Sequence, residues 1–541
     1  MTTRAQTDTT YQPDSRFAMI ITLLFSVIAG FGIYHHEMWR DELEIFMEMR
    51  DVPGFLALFP DIQPLPNLYL SLLYPLIKLW PDPVTFQLFH LLLITLAVFI
   101  FNKYSPFNHL QKIFFTFSYF IVFEYGIISR EYSMLLLFVF FLVYLITRKK
   151  QNFILIALSM VILSNHHLYG IFVSISIFIY EVFYLAPRVK GLAPEDKRKL
   201  RMAVLLLIIS SLYIVPQYFL LLKWNRYAAT FGQAPYFMTI RSIWNAFLPV
   251  PYSTGMDFWG TNILPFPQMY SKTAVAAEFI TAGNILAVTV SLLILAVNII
   301  IFSRKLPVLI VFLINTSLQL IFLQRLSVFY IRYQGPLLII FLYNYWLLSH
   351  ADEKLDWRAF HGITNFFTKP FFVSLRRFAS PFVTFILFIQ FCTGIFCYIQ
   401  DVRYPFTASN EAAKYIKEQG LNNNIMAGYM DYVAQTISGH LNQKIFYPQK
   451  GGFGTHMVWR DKNRRDTMSQ NEVLDSAIGI HYQTGRNVLL ILNVPVQNAL
   501  KQHVDHLQLY NGSSLTFLRG FTKSIVPDEQ FFLYLIAREQ A

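Results

Sequence analysis

Residues 17–44 read FAMIITLLFSVIAGFGIYHHEMWRDELE. The run from Phe17 to Tyr34 is apolar and long enough to cross a bilayer, which takes about 17–25 residues. It carries no small-residue cleavage site, and polar residues with Arg4 and Arg16 precede it, so it reads as an uncleaved first span. His35-His36-Glu37-Met38-Trp39-Arg40-Asp41-Glu42-Leu43-Glu44 follows at once. Acids, histidines and an arginine packed against the mouth of a span are costly to keep there, and such groups mark functional sites.

The whole chain shares this character. Of 541 residues, 55% are hydrophobic and 14% charged, with 53 Phe and 31 Tyr; soluble proteins carry about 25% charged residues. The composition is that of a polytopic membrane protein. The net charge of +12 does not indicate nucleic acid. Residues 401–541 hold 14 Lys and Arg against 12 Asp and Glu, so nearly all the excess lies in short connectors before them. Cys392 and Cys397 share one apolar run and define neither a disulfide framework nor a metal cluster.

Apolar segments 17–34, 84–101, 113–129, 132–147, 153–165, 168–186, 202–222, 283–302, 307–324, 335–349 and 380–400 are candidate spans, about eleven in all. The basic connectors are Lys103 to Lys112, Arg148-Lys149-Lys150, Arg188 to Arg201, Arg304-Lys305 and Lys354 to Arg377. Placing them all inside puts the N-terminus, residues 1–16, in the cytoplasm and residues 401–541 outside. Leu65 to Trp80 is short and ends at Pro81-Asp82-Pro83, so it reads as a re-entrant or interfacial helix on the outer side. The predicted architecture is a polytopic α-helical membrane domain over 17–400, with an outer loop at 35–64, and a C-terminal extracytoplasmic α/β domain over 401–541. That domain is expected to hold a helix at Glu411 to Glu418, strands at Asn424 to Ala427, Ile445 to Tyr447 and Val488 to Asn493, and a helix at Asn471 to Tyr482. Further strands are expected in Leu507 to Leu518 and Phe531 to Ile536.

This topology gathers polar residues on one face. Asp41, Glu44 and Glu48 share one side of a helix, where a carboxylate would serve as general base; a solvated amphipathic helix is the bland alternative. Arg130 next to Glu131, and Arg325 and Arg332 flanked by Tyr330 and Tyr333, are candidate phosphate-binding cations, since Arg matches phosphate oxygens bidentately. A local Arg–Glu pair and a snorkelling arginine are the plainer readings. His166 and His167 leave a divalent metal open as a cofactor, but no zinc-site spacing accompanies them. Asn511-Gly512-Ser513 matches a glycosylation sequon and equally a strand-connecting turn. The glycine-rich Tyr447 to Gly454 lacks the ending of a phosphate loop.

Four places carry a resemblance. Trp39-Arg40-Asp41-Glu42, Gln63-Pro64-Leu65-Pro66-Asn67-Leu68-Tyr69, Arg130-Glu131-Tyr132 and Arg332-Tyr333 are similar, in order and topology, to motifs of the GT-C superfamily of polytopic glycosyltransferases. That superfamily includes the protein O-mannosyltransferases and the aminoarabinose transferase of lipid A. Two departures stand out: Leu65 splits the Pro-Pro pair, and Gln63 replaces a His or Lys. The tail does not resemble the β-trefoil domain of the eukaryotic protein mannosyltransferases. The resemblance implies an inverting transferase that takes a sugar from a polyprenyl-phosphate donor to an acceptor hydroxyl on a lipid, glycan or protein, with no nucleic acid involved. It implies Asp41 as base, Glu42 in support, and Arg130, Arg332, Arg325 and Tyr333 around the donor phosphate. Glu44, Tyr132, His166 and His167 would be further substrate or metal contacts. The location it implies is a bacterial plasma membrane. A transporter of lipid-linked sugar is the first alternative; it calls for inverted repeats, which the sequence lacks. A membrane anchor with a polymer-binding tail is the second.

Overall fold

Apolar runs broken by short polar connectors form helices, because within a bilayer each segment must satisfy its own backbone hydrogen bonds. A computed structural model describes residues 14–58, 68–186, 188–224, 235–263, 282–326, 330–350, 366–458, 461, 463–498, 502–509 and 512–538. Gln63 to Asn67, Ser327 to Phe329, the first half of the connector Lys354 to Arg377, much of the outer loop 223–282 and Asn511 of the sequon lie outside the described residues.

The membrane domain comprises α1 (Ser15–His35), α2 (Arg40–Asp51), α3 (Leu68–Leu79), α4 (Pro83–Tyr104), α5 (His109–Thr116), α6 (Tyr132–Ile146), α7 (Phe153–Ser164), α8 (Leu168–Leu185), α9 (Pro194–Trp224), α10 (Tyr236–Phe247), α11 (Ala282–Phe302), α12 (Leu306–Leu326), α13 (Pro336–His350) and α14 (Ala379–Arg403). Among the described residues, seven helical stretches are long and apolar enough to cross a membrane. The protein is thus an integral, multi-pass membrane protein. Several expected spans are shorter than a bilayer requires. The 12 residues of α7 reach about 18 Å at 1.5 Å per residue, against a hydrocarbon core of about 30 Å. Such short helices are tolerated because protein as well as lipid surrounds them.

The expected span 113–129 is not one helix. It is α5, a break at Phe117-Ser118, and a π-helix over Tyr119–Glu124, after which the chain turns. Ser118 Oγ donates to Phe115 O, diverting that carbonyl. Gly394 of α14 packs onto the backbone of Phe117 to Tyr119, where a Cβ would collide. The helix α3 is likewise short, at 12 residues. Its first residue donates from Leu68 N to Asn165 O at 3.0 Å, and Lys78 near its end donates to Val52 O at 2.7 Å.

The C-terminal residues build α15 (Ser409–Glu418), β1 (Ile425–Tyr429), α16 (Asp431–Leu441), β2 (Ile445–Tyr447), β3 (Gly452–Gly454), α17 (Gln470–Thr484), β4 (Val488–Leu492), β5 (His506–Gln508), β6 (Ser513–Phe521) and β7 (Phe531–Arg538). The sheet order is β3-β2-β1-β4-β7-β6-β5, with β2, β1 and β4 parallel and the rest antiparallel. Side chains alternate along each strand, so Leu489 and Ile491 face α15 and α16 while Leu490 faces α17. The glycine-rich stretch is the β2–β3 hairpin, turning at Gly451 with φ +66°. This domain sits on α2: Leu43 and Met47 pack over Gly439 of α16.

Candidate active site

The site begins with the first turn of α2. Asp41 and Glu42 occupy it, where carboxylates suit the positive end of a helix. The two acids point in different directions. Glu42 is fully buried. It accepts from Trp39 N at 3.3 Å, from His36 Nε2 at 3.0 Å and from Ser129 N at 2.6 Å. His36 Nδ1 donates in turn to Asp401 of α14 at 3.0 Å. Burial opposes charge on His36, but Asp401 and Glu42 override it and push its pKa up to about 10. A cation between two buried carboxylates thus pins α1, α2, α14 and the turn before α6. Glu42, expected in support of Asp41, has its oxygens engaged in this pin, next in sequence to Asp41.

Asp41 is the partly exposed one. Arg130 Nη1 donates to its Oδ2 at 2.6 Å, and Arg332 Nη1 lies 3.0 Å from the same oxygen. Arg40 Nε approaches the other oxygen, Oδ1, at 4.0 Å. Burial opposes charge on Asp41, but the guanidiniums of Arg332, Arg130 and Arg40 overcome it and hold its carboxyl below the usual range.

Each arginine is itself held. Arg130 N donates to Nδ1 of His90, whose Nε2 lies 3.2 Å from Gly126 O, so α4 shapes the turn that presents the guanidinium. Arg130 Nε donates to Glu131 Oε2 at 3.2 Å. Burial works against charge on Glu131, but Arg130 brings its pKa down to about 2. Arg332 stands in the single turn Ile331–Gln334, with its guanidinium over Trp39, Tyr330 and Tyr333 at 5.1–5.3 Å. Tyr125 Oη donates to Arg332 O at 2.6 Å, and Tyr169 Oη to Tyr333 O at 3.1 Å. Arg332 Nε is buried without an acceptor among the described residues.

Beside this turn lies a small, partly open cleft lined by Tyr125, Tyr132, Tyr169, Asn315 and Gln319 with apolar neighbours. Tyr132 Oη and Gln319 Oε1 are buried without hydrogen-bond partners among the described residues.

The remaining candidates divide. Tyr333 adjoins Arg332, and Tyr132 stacks on Tyr125 at 4.6 Å. Arg325 is exposed in the last turn of α12, and among the described contacts of Asp41 it does not appear. Glu44 faces the other way and accepts from Gln435 of α16 at 3.1 Å. His166 Nε2 lies 2.8 Å from Glu131 O, and His167 caps α8 by accepting from Tyr169 N. Burial holds both histidines down to about 4. Among the described residues no group of three or more His, Cys, Asp or Glu is arranged to hold a metal ion. Sequence reasoning missed the His36–Asp401 pairing and the contacts of Arg40 with Asp528 and Glu529. Their partners lie hundreds of residues apart, and no local pattern announces them.

No family model matches the chain, and no curated protein matches it. Two solved structures are similar. ArnT from Cupriavidus metallidurans bound to undecaprenyl phosphate is 11% identical, covers 88% of this chain and 93% of that one, and has a TM-score of 0.43. The same protein in the apo state is 12% identical, with 88% and 92% covered and a TM-score of 0.43.

Proposed function

We propose that the protein is a GT-C-type glycosyltransferase that moves a sugar from a polyprenyl-phosphate donor to an acceptor hydroxyl on the outer face of the membrane. The observation that carries this is one carboxylate, Asp41, shared by two held arginines from separate parts of the chain. An ion pair kept only for stability has no need of a spare donor such as Arg332 Nε. A phosphate would supply the missing acceptor.

The chemistry follows from the same contacts. A donor phosphate competes with Asp41 for Arg130 and Arg332. As it takes their hydrogen bonds, the charge that depresses Asp41 is drawn away and the carboxylate gains basicity. Asp41 then accepts the proton of the acceptor hydroxyl while that oxygen attacks the anomeric carbon. The bond from that carbon to the phosphate oxygen breaks, and the electron pair leaves on the lipid phosphate, which the guanidiniums stabilise. Attack opposite the leaving group inverts the centre. Near the arginines, Tyr132 Oη and Gln319 Oε1 are buried polar atoms without partners among the described residues, and they suit contacts with a polar substrate.

The test uses a panel of polyprenyl-phosphate-linked hexoses and pentoses with the protein in membranes, following release of polyprenyl phosphate. At least one donor should turn over, and Asp41→Asn should abolish turnover. Turnover unchanged by Asp41→Asn would remove Asp41 as base.

A further inference from the structure

The triplet Arg40-Asp41-Glu42 is anchored at both flanks while its middle residue faces the site. The Arg40 flank is held by the C-terminal domain. Arg40 Nη1 donates to Asp528 Oδ2 at 2.6 Å, and Arg40 N donates to Glu529 Oε1 at 3.1 Å. Arg40 Nε is 3.7 Å from Glu529 and 4.0 Å from Asp41. The guanidinium also lies over Tyr432 of α16 at 5.2 Å.

The two acids sit in the turn between β6 and β7, and that turn is strapped to the segment after α14. Ile525 N donates to Pro405 O and Val526 N to Phe406 O, both at 3.0 Å, and Ala408 N donates to Glu529 O at 3.1 Å. Glu529 is wholly buried, where a carboxylate is costly unless a cation answers it. The transfer chemistry makes no use of these acids. Their geometry nevertheless bears on it, because both functional arginines contact Asp41 Oδ2, whereas Arg40 approaches Oδ1.

We propose that Asp528 and Glu529 are positioning residues for the transfer site: they hold the Arg40 guanidinium back from Asp41 Oδ1, which leaves that oxygen open to take the acceptor proton. Without them, Arg40 swings about its side chain onto Oδ1 and both carboxylate oxygens are bound by cations. The C-terminal domain then acts on catalysis through one arginine. This rests on the reading of Asp41 as base.

The test compares full-length wild type, Asp528→Asn/Glu529→Gln, the same pair with Arg40→Gln, Asp528→Glu and Asp41→Asn, using the donor panel above. The pair should lower kcat by about tenfold or more with the donor KM unchanged, since Arg130 and Arg332 are intact. Adding Arg40→Gln should restore most of the loss, and Asp528→Glu should stay near wild type. If kcat of the pair stays within about twofold of wild type while Asp41→Asn is inactive, the proposal falls and the base assignment stands. A loss that Arg40→Gln does not relieve also overturns it, for the acids would then only dock the domain. An active Asp41→Asn removes the base assignment itself. Should the pair not accumulate as folded protein, Asp528→Asn alone enters the same comparison.

Discussion

Arg130 Nη1 donates to Asp41 Oδ2 at 2.6 Å across 89 positions of the chain. This contact joins the first turn of α2 to the loop before α6, and Arg332 closes on the same oxygen from a third place. On the proposed function, this carboxylate stands where the phosphate of a donor would compete for the same two guanidiniums.

Arg130→Ala and Arg332→Ala should each weaken binding of polyprenyl phosphate by about 10- to 100-fold, the range for one charged hydrogen bond. Lysine at either position should recover only part of this, because a single ammonium cannot reproduce a fork of donors. Asp41→Asn should bind the lipid phosphate at least as well as wild type, since it removes the competing anion. Calorimetric titration of the detergent-solubilised protein reads all of these, and wild-type affinity in both alanine variants would contradict the phosphate assignment.

The Asp41 carboxyl is held below its ordinary value, 3.8, by its arginines. Its deprotonated form therefore persists at all ordinary pH, and the acid limb of kcat/KM in the free protein should lie below about pH 4. Removing Arg332 takes away the largest favourable charge, so Asp41 protonates more readily and the limb should move to higher pH in Arg332→Ala. A limb that stays put would show that some other group controls it.

His36 has the opposite sign. Its pKa is raised from 6.5 to about 10 in the folded protein, so the fold favours its charged form. The stabilisation is complete below pH 6.5 and is lost as pH rises toward 10. Thermal unfolding in detergent should show a falling midpoint between pH 7 and 10, and this slope should be shallower in His36→Gln. That variant should also be less stable at pH 7, because it leaves Glu42 and Asp401 buried without their cation; losing one partner of a buried ion pair costs about 3–5 kcal/mol.

Gly335 lies against Tyr125, and a Cβ there would collide with the Tyr125 hydroxyl and the ring of Phe120. Gly335→Ala should push Tyr125 off Arg332 O, lowering stability by roughly 1–3 kcal/mol and impairing donor turnover. Gly54, with open space around its Cβ position, is the control and should tolerate alanine. Matched thermal midpoints and turnover for the two variants would argue against a tight Tyr125–Arg332 contact.

Much of the fold is legible where local pattern decides it. The apolar runs marked α1, α4, α8, α11, α12 and α14, and the alternation around Val488 and Phe531 marked β4 and β7. The break in 113–129 was not legible, because its cause is Gly394 of α14 pressing on that backbone. Helix α16 was passed over as well; its buried face includes Gln435, Thr436 and Ser438, which give no strong apolar stripe. In the site, Asp41, Arg130 and Arg332 stood out as charges at the ends of apolar runs. Arg325 stood out equally, yet it is exposed and is not among the described contacts of Asp41.

The sequence by itself determined that this is a multi-pass membrane protein with an α/β tail, because hydrophobic length and strand alternation are local properties of the chain. It also named the acids and arginines from which a site would be built. Only the tertiary structure decided which of two adjacent carboxylates faces that site. Asp41 and Glu42 are neighbours of like charge, and nothing local separates them. Residues brought from far along the chain do so: His36, Asp401 and Ser129 bury Glu42, while Arg130 and Arg332 converge on Asp41.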